Sequence, residues 1–155
     1  MATITNQAAL SYNGVTTLSN IAVGELVEVL TATKTAADTT YTAGGVKTFV
    51  ISLVNSSAAA LTGLTVTDTL GSYTFSGNTL YPLTYVTGSL LYYVNGALQA
   101  TPTVTATAPL TVTGVTVPAG GSAMLIYTAR VNEYAPLGVE DSITNTATIT
   151  GGGLT

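Results

Sequence analysis

The sequence predicts an all-β protein, two antiparallel sheets packed as a sandwich with a strand arm at the N-terminus. Three observations predict it. Apolar residues make up 46% of the 155 and mean hydropathy is +0.49, so the chain can bury a core although few of its residues are charged. Those apolar residues are mainly Val, Ile, Leu and Tyr interleaved with Thr, which alone supplies about a fifth of the chain. β-Branched and aromatic side chains suit a pleated, half-buried surface. Sixteen Gly and five Pro punctuate the chain, and short strands between such breaks build sandwiches or barrels. No segment carries a helical period.

The elements follow from alternation. In Thr31–Ala36, Lys34 shares a face with Ala32 and Ala36, opposite three Thr. Phe49, Ile51 and Leu53 share a face of Phe49–Asn55, and Leu64, Val66, Asp68 and Leu70 share one of Leu64–Leu70. Ser89–Val94 and Ala97–Ala100 flank Asn95-Gly96, a pair that tolerates the positive φ angles of a type I′ hairpin turn. Val115–Val117 leads through Pro118-Ala119-Gly120-Gly121 into Ser122–Val131, where Ala123, Leu125, Tyr127 and Ala129 face one way. A last strand is predicted over Ser142–Thr150.

Thr3–Gly14 aligns without gaps on Ser142–Gly153. Ile4/Ile143, Thr5/Thr144, Asn6/Asn145, Ala8/Ala147 and Gly14/Gly153 are identical. Thr-rich strands resemble one another by composition alone; the sharper reading is that the N-terminal arm copies the terminal strand of the domain. The copies then diverge, since the first continues through Val15 to Val23 and the second stops at Thr155. Residues 1–24 are therefore assigned as an arm and candidate donor strand, and 25–155 as the sandwich. Length allows one domain of this kind.

Composition removes most chemistry. Without His or Cys there is no Ser-His-Asp or Cys-His nucleophile system and no ordinary zinc, copper or iron site. No cofactor, metal or enzymatic turnover is expected. Three basic against seven acidic residues, a net charge of −4 and a pI near 4.2 argue against nucleic acid as a partner. No run of about 18 apolar residues asks for membrane insertion, and the N-terminus lacks the basic and apolar regions of a signal peptide. Glu140 and Asp141 are adjacent, so on a strand they point apart and chelate calcium poorly. Tyr81, Tyr85, Tyr92 and Tyr93 suit cross-strand packing better than sugar stacking, and a small-molecule ligand is not expected.

Thr33–Ala36, Thr48–Asn55, Leu64–Leu70, Val117–Gly120 and Ile143–Thr148 together resemble, in this order, the conserved-repeat domain of bacterial surface proteins, the domain of unknown function numbered eleven. The resemblance runs from about Leu30 to the C-terminus. It implies an immunoglobulin-like sandwich used as a building block of stalks, cell walls, pili or spore appendages. The chain departs from the family at Lys47, where an apolar residue is usual, and at Gly45, where an acid is usual. It also has room for one strand, where the family has two, after its Asn-Thr-Ala-Thr segment begins.

Three polar residues stand on apolar faces: Lys34, Asp68 and Asn145. Burial of each is costly unless they meet. Three readings follow: they are solvent-facing rims of their strands, or they meet as a buried hydrogen-bonded ion pair, or Lys34 and Asn145 form an intramolecular isopeptide bond, with a protonated Asp68 polarising the Asn145 carbonyl and moving protons. Isopeptide-forming pilin domains, similar to this family, use the same three residue types. The leading functional expectation is a structural subunit on the cell or spore surface that polymerises head to tail with copies of itself. Its arm, through Ile4, Asn6, Ala8 and Leu10 or Ile21 and Val23, would add to a neighbour's sheet. The alternatives are a monomeric adhesin or carbohydrate-binding module, and a spacer repeat of a larger surface protein.

Overall fold

A computed structural model describes residues 3–25, 29–138 and 141–153. Glu140 of the acidic pair lies outside them. The described residues contain strands and turns and no helix, and the expected all-β, immunoglobulin-like sandwich is what they form.

The first four strands, β1 (Thr3–Asn6), β2 (Ala9–Tyr12), β3 (Val15–Leu18) and β4 (Ala22–Glu25), pair only with one another, β1 with β4 and β2 with β3. They make one long hairpin that turns at Asn13-Gly14, with φ of 53° and 80°. The arm and its further strand after Val15 pair with each other as a doubled ribbon, which reaches Glu25. The reason is local: Asn-Gly supplies the type I′ geometry that folds a chain back on itself. The Ser19 N–H then donates to the Ala8 carbonyl across the ribbon.

The sandwich follows. Its strands are β5 (Leu30–Ala36), β6 (Val46–Asn55), β7 (Leu61–Asp68), β8 (Tyr73–Phe75), β9 (Asn78–Leu80), β10 (Leu83–Tyr85), β11 (Leu91–Val94) and β12 (Ala97–Gln99). Then come β13 (Thr103–Thr107), β14 (Leu110–Val117), β15 (Ser122–Val131) and β16 (Ala147–Thr150). One sheet runs β12-β11-β15-β6-β5, with β10 also on β15; the other runs β13-β14-β7-β16. Strands β8 and β9 form a separate small hairpin. Strict alternation along β6 and β15 puts Ile51, Leu53, Leu125 and Tyr127 inside, where they face Leu64, Val66, Val115 and Val117 of the other sheet.

Two predicted boundaries are corrected. Strand β7 ends at Asp68, because the Asp68 carboxylate accepts the Leu70 N–H at 3.0 Å and turns the chain, with Leu70 at φ 51°. The last strand pairs only from Ala147, although Ile143 and Asn145 keep its alternation and remain half-buried. Lys47 lays its stem in the interior. Its amine donates to the Thr40 carbonyl and lies 3.3 Å from Asp38.

Asn55 closes the end of the sandwich. Its side-chain nitrogen donates to the carbonyls of Ala59 at 2.8 Å and Pro118 at 3.0 Å, and its oxygen accepts from the Ser57 N–H and hydroxyl. It is 1% exposed. Each group orphaned there costs about 1–3 kcal/mol, so Asn55→Ala is expected to lower stability by at least about 2 kcal/mol in urea unfolding.

Candidate functional site

Lys34, Asp68 and Asn145 come from β5, from the end of β7 and from the segment just before β16, and the fold brings them to one place. Lys34 Nζ lies 2.5 Å from Asp68 Oδ2, with the lysine side chain 12% and the aspartate 1% exposed. The contact is close yet lacks hydrogen-bond geometry, so the buried amine is electrostatically paired but has no well-directed acceptor among the described residues. The Phe49 ring lies 5.1 Å below it. Burial is the main reason the Lys34 pKa falls below its ordinary value; the Asp68 carboxylate opposes the shift without cancelling it.

A fourth residue, Tyr127, joins the other three. Its hydroxyl donates to Asp68 Oδ2 at 2.6 Å and accepts from Asn145 Nδ2 at 3.3 Å. Its ring is 1% exposed and stacks on Phe49 at 5.4 Å between centroids. Burial first, then the charge and hydrogen bond of Asp68, push its pKa well above the usual phenol range. Lys34 and Asn145 thus meet the same Asp68–Tyr127 pair. Sequence reasoning placed Tyr127 on an inward face and assigned it no part in the site, because a tyrosine on an apolar face reads as packing.

The Asn145 carbonyl has other partners. Its Oδ1 accepts from the Gly71 N–H at 3.0 Å and from the Thr69 hydroxyl at 3.3 Å. The hydrogen bonds of Asp68 go instead to Leu70 and Tyr127, so the expected Asp68 contact with that carbonyl is replaced by these two donors. Gly71 has φ 70°, and a Cβ there would overlap the Ile143 side chain. Gly71→Ala is therefore expected to cost about 1–3 kcal/mol and displace Asn145, read from the urea midpoint and from Asn145 side-chain NMR shifts.

The arm residues lie elsewhere. Ile4 is 73%, Leu10 72%, Ile21 56% and Val23 63% exposed, and Asn6 and Ala8 are exposed too. Cross-strand register adds two residues missed in the sequence. Tyr12 pairs with Val15 and shares its face with Leu10, at 80% exposure for Tyr12. Beside the Lys34 cluster, a groove of about 430 Å³ opens between β5 and the segment before β16, lined by Thr35, Ala36, Tyr41, Phe49, Leu83 and Ile143.

No family model matches the chain, and no curated protein matches its sequence. Among solved structures, the pilus backbone protein RrgB of Streptococcus pneumoniae is similar, with a TM-score of 0.56 and 13% identity over 79% of this chain and 51% of that one. The chain spans about half the length of that protein. The likeness is one of fold: this chain has a pilin-like, immunoglobulin-like sandwich.

Proposed function

We propose that the protein is a non-enzymatic structural subunit that assembles head to tail into an extracellular filament, pilus-like or a spore appendage. The hairpin of one copy adds to the sandwich of the next. The observation that carries this is the hairpin itself. Leu10, Tyr12, Val15, Leu18, Ile21 and Val23 all face solvent on a two-stranded ribbon. Leu10, Tyr12 and Val15 share one face of it and Leu18 lies on the other; such a ribbon is marginal alone and gains stability by covering these exposed apolar side chains. Among the described residues the outer edge of β16 has no partner strand, and it offers backbone donors and acceptors to an incoming strand. The hairpin carries a second copy of the sequence that already lies on β7. A contact between unlike surfaces repeats without closing and so propagates as a filament. The pilus backbone likeness supports the same role.

Within that subunit we further propose that Lys34 and Asn145 condense into an isopeptide bond. The support is a buried cluster in which Lys34 meets Asp68, Asn145 meets Tyr127, and the Tyr127 hydroxyl donates to Asp68. Negative-stain microscopy of the purified protein tests the assembly. Long uniform fibres are expected, and monodisperse 15.6 kDa particles would favour an adhesin or spacer instead.

A further inference from the structure

Both ends of the Asn145 amide are held, by groups suited to different tasks. Its oxygen sits between two donors, the Gly71 N–H at 3.0 Å and the Thr69 hydroxyl at 3.3 Å. Its nitrogen lies 3.3 Å from the Tyr127 hydroxyl, whose proton points 2.6 Å to Asp68 Oδ2. That same carboxylate oxygen is the one Lys34 Nζ approaches. If the amide is to be broken, these are the positions of the developing oxyanion and of the leaving nitrogen. The line Lys34–Asp68–Tyr127–Asn145 then runs from the nucleophile to the leaving group, its first link a close ion pair and its other two hydrogen bonds.

We propose that Tyr127 is a catalytic residue of the Lys34–Asn145 condensation, relaying a proton from Asp68 to the departing Asn145 nitrogen, while Gly71 N–H and the Thr69 hydroxyl hold the oxyanion. This rests on the isopeptide reading above. In the step, the neutral Lys34 amine attacks Asn145 Cγ and its lone pair forms the new C–N bond. The carbonyl π pair moves onto Oδ1, where the two donors receive it. Asp68 Oδ2 takes one proton from the now cationic Nζ. Tyr127 gives its own proton to Nδ2 and regains one from Asp68. The carbonyl re-forms, the Cγ–Nδ2 bond breaks with its electron pair on nitrogen, and ammonia leaves. One proton has passed from Nζ to Nδ2; Asp68 and Tyr127 end as they began, and no oxidant or reductant is needed.

The charge states agree with this route. Burial lowers the Lys34 pKa and favours the free amine. The Tyr127 proton is held more tightly than in an ordinary phenol, so a lasting phenolate does not form and the hydroxyl gives and receives its protons together.

The test is cell-free synthesis of the full chain with intact mass followed over time. Wild type is expected to become lighter by one ammonia. Tyr127→Phe should slow that loss by about a hundredfold or more, and Thr69→Val, which leaves the core ring in place, should slow it by a similar factor. Tyr85→Phe is the control, since its ring packs 6.2 Å from that of Tyr127 but its hydroxyl makes no hydrogen bond to the cluster among the described residues; it should react like wild type. Urea unfolding confirms that each variant is folded. Condensation of folded Tyr127→Phe at the wild-type rate overturns the relay and leaves the crosslink standing; a wild-type rate in Thr69→Val removes the hydroxyl from the oxyanion site. Wild type at its full mass removes the crosslink and the relay together.

Discussion

Deleting residues 2–24 is expected to leave a folded sandwich that no longer forms filaments. The separation of effects follows from where the contacts are. Among the described residues, strands β1 to β4 pair with one another and with no sandwich strand, and their large apolar side chains are exposed. Removing them takes nothing from the core of Leu53, Leu64, Val117 and Leu125, so the urea midpoint should move little, by about 0.5 kcal/mol or less. Assembly, by contrast, should be lost outright. Point changes on the ribbon refine the test. Burying a side chain the size of Tyr12 or Leu10 is worth about 1.5–3 kcal/mol, so Tyr12→Asp or Leu10→Asp should raise the concentration needed for polymerisation at least about tenfold. A hairpin peptide added in excess should bind the truncated protein and cap growth of the full chain. Fibres of unchanged form from the truncated protein would show that the ribbon is not the connector.

The parts of this fold that could be read from sequence are those where alternation and turn chemistry act locally. Phe49–Asn55 and Ser122–Val131 alternate because both strands have one face on the core. Asn95-Gly96 turns the chain where expected, at φ 48° and 80°. Alternation also pointed Lys34, Asp68 and Asn145 inward, and that much of the site was legible. It could not say that Tyr127 closes the cluster, since a tyrosine among Ala123, Leu125 and Ala129 gives no sign of what its hydroxyl touches. Thr69 and Gly71 were hidden for a related reason: the strand prediction ran through Leu70, whereas the Asp68 carboxylate ends it by accepting the Leu70 N–H. Edge segments were least legible. Ser142–Thr146 has the pattern of a strand, but among the described residues only Thr146 reaches a backbone partner, through its carbonyl to the Thr69 N–H at 2.9 Å. The arm was read with a further strand over Val15–Val23, but the turn at Asn13-Gly14 was not named, although it carries the same signal as Asn95-Gly96.

The crosslink has the largest expected effect on stability. If Lys34 and Asn145 have condensed, Lys34→Ala and Asn145→Ala will each show the mass of the unmodified chain and unfold far more easily than wild type. A covalent tie between these positions closes a loop of about 110 residues, which in the chain-entropy account is worth between about 4 and 5 kcal/mol. Asn145→Ala also exposes a pH dependence that wild type lacks. It keeps the free Lys34 amine beside Asp68, with a pKa held below the unfolded value of 10.5 by burial. Between those two values the unfolded chain binds more protons than the folded one, so stability rises with pH across the window and is lost as pH falls through the folded pKa. Tyr127 acts in the opposite sense only above its unfolded value of 10.0, so a series from neutral pH up to 10.0 isolates the lysine. In wild type the same nitrogen is an amide and does not titrate; its stability should show no such rise. A wild type that rises with pH as Asn145→Ala does, at full mass, would mean that Lys34 and Asp68 are a buried ion pair and nothing more.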